Sequence, residues 1–217
     1  MTIKNDVRIE RRNTPGGTLA LLSVVKGLVS NEEILEQALN EEKPDILALP
    51  MPPEGLKDLK RWKGDIGELP LTDEDMLYIR GLESFGEARL PPPCYISAIR
   101  LCEKRSIRLE AVDMDEDMFS NFFCDNVSIF DLWRRTRTSQ RMQKRWIDAS
   151  TPEEYADTWE SLLLRNKGLA AVEKERERYI AEAIIRLSSH GKTLAIIEHE
   201  RRKGILENID SILKEKQ

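Results

Sequence analysis

Leu19-Ala20-Leu21-Leu22-Ser23-Val24-Val25 and Asp45-Ile46-Leu47-Ala48-Leu49 decide the fold: two short apolar runs with a helical pattern between them read as a β-α-β unit. The first run follows the turn signal Pro15-Gly16-Gly17, and the second is closed by Pro50 and Pro52-Pro53. Runs this short and uniformly apolar suit strands covered on both faces. Between them, Ser30-Asn31-Glu32-Glu33 has the form of a capping box, with Ser30 accepting from a free backbone N–H and Glu33 reaching back. The helix it opens carries Ile34, Ala38 and Leu39 on one face, and Pro44 stops it. A crossover through a helix implies parallel strands.

The carboxyl-terminal fifty residues repeat the theme. Glu175-Arg176-Glu177-Arg178-Tyr179-Ile180-Ala181 sits in a long helical pattern, and the apolar run Thr193-Leu194-Ala195-Ile196-Ile197 leads into Glu198-His199-Glu200 before a last helix. The carboxyl end of a buried strand is where open α/β sheets bind ligands. In the middle, Thr72-Asp73-Glu74-Asp75 caps a helix, and Pro91-Pro92-Pro93 leads into another carrying Ile96, Ile99 and Leu101. Ile107 to Val112 alternates like a strand, and Glu116 to about Ile147 reads as helix with a break near Asn126-Val127-Ser128. Thr151-Pro152-Glu153-Glu154 opens two long helices separated by Asn166-Lys167-Gly168. The expected class is α/β: a mainly parallel central sheet flanked by helices, with a helical block inserted before the last strand. Residues 1–217 read as a single domain with that insertion at approximately 116–188.

Composition narrows the function classes. With 34% charged and 40% apolar residues, the 217-residue chain is expected to bury a sizeable core. A net charge of −5 argues against a uniformly basic surface and leaves room for a local basic patch. No apolar run reaches the length of a membrane span, and Met1 to Asp6 lack the apolar stretch of a secretory signal, so a cytoplasmic protein is expected. Cys94, Cys102 and Cys124 are odd in number and lack CxxC spacing. They read as reduced, mostly core cysteines, not a zinc cluster.

Taken together, these segments resemble the TraB/PrgY/GumN family, related more distantly to the Tiki and erythromycin esterase proteins. The resemblance rests on Gly17-Thr18-Leu19-Ala20, on Pro44-Asp45 with its strand, and on Pro91-Pro92-Pro93 through Leu101. It continues in Ile107 to Asp113, in Glu175 to Ala181, and in Ala195-Ile196-Ile197-Glu198-His199 leading to Gly204-Ile205. The family's proposed chemistry uses paired Gly-x-x-His motifs with supporting glutamate and arginine, which implies a metal-dependent peptidase or related hydrolase with a divalent metal. Here Ala20 stands at the first histidine position, Pro50 replaces the acid after the second strand, and Glu198 replaces the glycine before His199. His190 and His199 are the only histidines, and the strand between them should keep them apart. The resemblance therefore implies a divergent member with a degenerate hydrolase-type centre, retaining a ligand- or partner-binding role.

His199, Glu198 and Glu177 are the candidate catalytic residues. In the hydrolase reading, His199 with Glu198 or Asp113 would hold an ion that activates water. The rival reading is a partly exposed histidine near a helix start. Arg176, with Glu175 and Asp113, is the candidate ligand-binding set, since a guanidinium fork suits a small anionic ligand or a peptide carboxylate. Its rival is an ion pair on a solvated helix face. Asp113-Met114-Asp115-Glu116-Asp117 offers oxygen ligands but fails the EF-hand template at Met118 and Cys124. Acids in a first helical turn are also favoured by the helix dipole. No metal-ligand set is assigned.

A further candidate is a basic stretch containing Arg134, Arg135, Arg137, Arg141, Lys144 and Arg145, flanked by Trp133 and Trp146. Helical spacing places Arg134, Arg137, Arg141 and Lys144 on one face, as a grip for nucleic-acid phosphates or an acidic protein. A solvated or internally paired face is the competing reading.

Overall fold

The computed structural model describes residues 9–64, 71–144 and 147–215. Met1 to Asp6, Arg145 and Trp146, which figured in the sequence reading, lie outside those residues. One five-stranded sheet, in the order β1-β2-β5-β3-β4, organises the rest. Its strands are β1 (Ile9–Thr14), β2 (Gly17–Val24), β3 (Ile46–Leu49), β4 (Arg108–Ala111) and β5 (Thr193–Glu198). Only β1 is antiparallel to its neighbour; β2, β5, β3 and β4 run parallel. This is the α/β class expected, with a mainly parallel sheet between helices.

The last strand of the chain is the central one. β5 lies between β2 and β3, pairing Leu21 with Ala195 on one side and Ala48 with Ala195 on the other. All six of its residues are buried. Leu194 and Ile196 pack into a core with α1 (Asn31–Glu42), α2 (Pro53–Arg61) and α4 (Pro93–Arg105), through Leu35, Leu56 and Ala98 among others. Ala195 and Ile197 face the opposite core with α8 (Lys167–Ser188) and α9 (Arg202–Glu215), through Ile180, Ile184, Ile205 and Ile209. The period-2 alternation of strand side chains sorts neighbouring residues into the two layers. Each such leucine or isoleucine contributes roughly 1.5–3 kcal/mol on full burial.

A third cluster joins α3 (Asp73–Leu82) and α7 (Pro152–Leu163) through Tyr78, Tyr155 and Trp159. α5 (Glu116–Asn126) and α6 (Ile129–Met142) are the remaining α-helices among the described residues. The helical block anticipated at approximately 116–188 is thus α5 to α8, and the second half of α8 covers the sheet directly.

One local expectation is corrected, and two elements lie where the sequence carries little signal. Ser30 precedes α1 in an αR conformation (φ −57°, ψ −22°) and makes no side-chain cap, so the capping box is absent. A capping side chain needs an extended N-cap backbone to reach the N3 amide. β1 has no strand signature in the sequence, because Ile9-Glu10-Arg11-Arg12-Asn13-Thr14 is an edge sequence with one apolar residue. α2 begins at Pro53, where the sequence signals only a stop; proline's fixed φ suits a first helical turn as well as it ends a strand.

Candidate functional site

The carboxyl ends of the four parallel strands open into two adjoining cavities of about 660 and 310 Å³, which share Lys26, Arg176, Glu198 and Arg201. Each strand delivers its site residue just past its end. Lys26 follows β2, Pro50 and Met51 follow β3, Asp113 follows β4, and Glu198 to Arg201 end β5 and form a 3-10 turn. The outer, larger chamber is walled by Pro50, Met51, Leu59, Trp62, Pro92 and Tyr95.

An ion chain forms the floor. Arg176 on α8 binds Asp113 through Nε at 3.3 Å and also through Nη2, and its Nη1 donates to Glu173 Oε1 at 2.7 Å. Glu173 Oε2 in turn lies 2.9 Å from Arg201 Nε, close in charge although that N–H is not aligned on the oxygen. Arg201 Nη1 reaches Glu198 Oε2 at 2.8 Å, and the buried Tyr95 hydroxyl donates to Glu198 Oε1 at 3.1 Å. Lys26 Nζ stands 4.0 Å from the same carboxylate. Asp113 is sealed at 1% side-chain exposure and Glu198 at 5%. Ions so buried persist only when compensated, and these are.

The electrostatics divide the carboxyls. Burial alone would raise Glu198, but Arg201, Lys26 and Arg176 outweigh it and hold the group below the usual carboxylate range. Glu173 is lowered against the same burial by Arg201 and Arg176. Glu200, two residues beyond Glu198, is pushed up to about 8 by burial and by Glu198. Burial also raises Glu160 on α7. The cleft therefore holds both ionised and neutral carboxyls near neutral pH.

Of the residues singled out from sequence, Arg176, Asp113 and Glu198 come together here. His199 does not join them. Its Nδ1 lies 3.3 Å from Ser23 Oγ and its Nε2 lies 3.5 Å from Asp157 Oδ2, and it lines neither chamber. Strand alternation is the reason: Glu198 and His199 leave β5 on opposite sides. Glu177 packs instead against α9 at Gly204, where a β-carbon would sit 2.0 Å from its Oε2; burial and Glu173 push it up to about 7. Glu175 pairs with Arg178 on the outer face of α8. His190 lies at the opposite end of β5 from His199, and Ala20 is fully buried within β2. Asp115 caps α5 by accepting from the Met118 amide at 2.8 Å.

No group of three or more His, Cys, Asp or Glu side chains among the described residues is placed to hold a metal ion. The donor set does not fit the divalent metal that the resemblance implies.

Sequence reading missed Arg201, Glu173, Lys26 and Glu160. Glu173 was the most accessible, because it lies one turn before Arg176 at i,i+3 spacing. Arg201 has the same spacing from Glu198, but only the 3-10 turn makes that spacing a contact.

The basic face of α6 is a separate feature. Arg134, Arg137 and Arg141 on the helix, and Lys144 just beyond it, are exposed, and the Arg137 guanidinium stacks 3.6 Å over the Trp133 ring. With Arg165 the three arginines border a groove of about 230 Å³. Arg135 turns inward to Glu74, with its Nη2 at 2.7 Å.

No family model and no curated protein matches this chain. No helix among the described residues is long and apolar enough to cross a membrane.

Proposed function

We propose that this protein binds a small molecule in the cleft at the carboxyl edge of its sheet, as a divergent TraB-like protein whose hydrolase-type centre is degenerate. One observation carries the reading: two chambers at the ends of four parallel strands share a buried, compensated ion chain. Such chains hold polar groups at fixed positions, which is what a binding site requires. The metal-dependent hydrolase is the weaker alternative, because His199 faces away from the chambers and no three-donor cluster among the described residues accompanies it. A binding role for nucleic acid or an acidic protein is supported by the exposed arginines of α6 and their groove.

A ligand-observed and amide-shift NMR fragment screen tests the cleft. Hits are expected to perturb Lys26, Met51, Tyr95 and Arg176 together. Hits that map outside both chambers overturn it; Gly55→Trp, which narrows the outer chamber alone, should displace hits bound there and leave those in the inner one.

A further inference from the structure

The inner chamber has a charge surplus that the outer one lacks. Its 310 Å³ are lined by four cationic and six acidic side chains. Three of the cations, Lys26, Arg176 and Arg201, are matched by the three carboxylates Asp113, Glu173 and Glu198, the first of these at the border with the outer chamber. The fourth, Arg135, is matched by Glu74, and Asp75 is committed to capping α3 through Thr72. Glu160 and Glu200 remain, and neither has an ion-pair partner among the described residues. Glu200 Oε2 is buried without a hydrogen-bond partner.

Two further observations point into the same space. Tyr78 is 8% exposed, and its buried hydroxyl has no hydrogen-bond partner although it lies in the field of Glu200 and Glu198. A buried polar atom left unpaired is costly, so its retention is a reason to look for an absent partner. The walls are aromatic. Tyr78 and Trp159 meet edge to face at 5.4 Å, and Phe119 and Phe123 pair at 5.7 Å. Ring faces attract cations, and surplus carboxyls do so more strongly.

We propose that the inner chamber is a site for a small organic cation, an alkyl amine of up to roughly ten heavy atoms, taking about 30 Å³ for each. The ammonium group sits between Glu160 and Glu200, with the Tyr78 hydroxyl beside it and the alkyl chain against the aromatic rings. This rests on the reading of the cleft as the ligand site and deepens it, because it reverses the sign of the ligand expected from Arg176 alone. Glu200, held near 8 by burial and Glu198, is largely protonated at pH 7. Arg201 and Glu160 also face it, the first lowering and the second raising its affinity for the proton. A bound ammonium displaces that proton, so binding at pH 7 releases one, whereas at pH 9 the carboxyl is already ionised. Affinity should tighten about tenfold or more between pH 6 and 9, while an alkyl amine like that of lysine stays largely charged.

Three probes share one four-carbon skeleton and differ in charge: 1,4-diaminobutane, butane-1,4-diol and succinate. Calorimetry on the full chain, in two buffers of different ionisation heat, reads both affinity and proton release. The diamine is expected to bind, to release close to one proton at pH 7, and to lose about tenfold in affinity in Glu200→Gln. Tyr78→Phe keeps the ring and should weaken binding severalfold without loss of fold. Diamine binding unchanged in both Glu160→Gln and Glu200→Gln, or no binding of the diamine at millimolar concentration, overturns the proposal. Succinate binding in its place leaves the cleft as a ligand site and removes the cation. Fragment hits outside the cleft remove the site itself, so the two failures are distinguishable.

Discussion

The floor of the cleft and the outer face of α6 are both built from arginine, and they differ in what stands opposite. Arg176 and Arg201 are 17% and 13% exposed, and each contacts two carboxylates. Arg134, Arg137 and Arg141 are exposed and none has an ion-pair partner among the described residues; Arg137 has a tryptophan ring instead. A buried guanidinium must be compensated where it sits, whereas an exposed one is compensated by water and salt. Arginine in the cleft is therefore structure first, and arginine on α6 is free charge for whatever approaches.

Four measurements sharpen or break that contrast. Arg201→Met should have the largest effect, destabilising by about 3–5 kcal/mol in chemical denaturation at pH 7, because it strands Glu198 and Glu173 without their main partner. Glu198 is depressed in the folded protein, so the stability it lends is present above its unfolded value and is lost as pH falls through the folded one. In the variant that benefit is gone, and its deficit against wild type should shrink as the pH is lowered toward 4. A deficit independent of pH would mean that Arg201 acts through packing alone.

Asp113→Asn should come next, at about 2 kcal/mol, since Arg176 keeps Glu173 while losing a charged partner. Glu200→Gln should move stability the other way. A carboxyl raised to about 8 favours the folded state fully below its unfolded value, and that advantage is lost as pH rises through 8. The variant should therefore gain on wild type across pH 5 to 8, by roughly 1–3 kcal/mol, and a flat difference would break the assignment. Smallest of all, Arg141→Ala on α6 should stay within about 0.5 kcal/mol at any pH in thermal melts.

How much of this was legible in the chain depends on the range of the interaction. β2, β3 and β5 were readable because an apolar run between turn signals has few alternatives. α7 was readable because Thr151 and Glu154 satisfy local amides and Pro152 has no N–H to satisfy; Thr151 accepts from Glu154 and Glu154 accepts from Ser150. Arg176 and Asp113 could be named as candidates, yet their contact spans 63 positions and no spacing rule encodes it. His199 attracted attention as a histidine at a strand end, but a one-residue step along β5 was enough to aim it at Ser23 and Asp157.

By itself the sequence determined the class of the fold, the parallel strands and the edge of the sheet at which polar residues would gather, because periodicity, caps and proline act over a few residues. Only the tertiary structure decided that the last strand is the central one. It also decided that Arg176 is tied to Asp113, that Arg201 links Glu173 to Glu198, and that Glu160 and Glu200 are left over. Those outcomes depend on which charges share a space with little water, and burial of that kind is created by packing distant elements together.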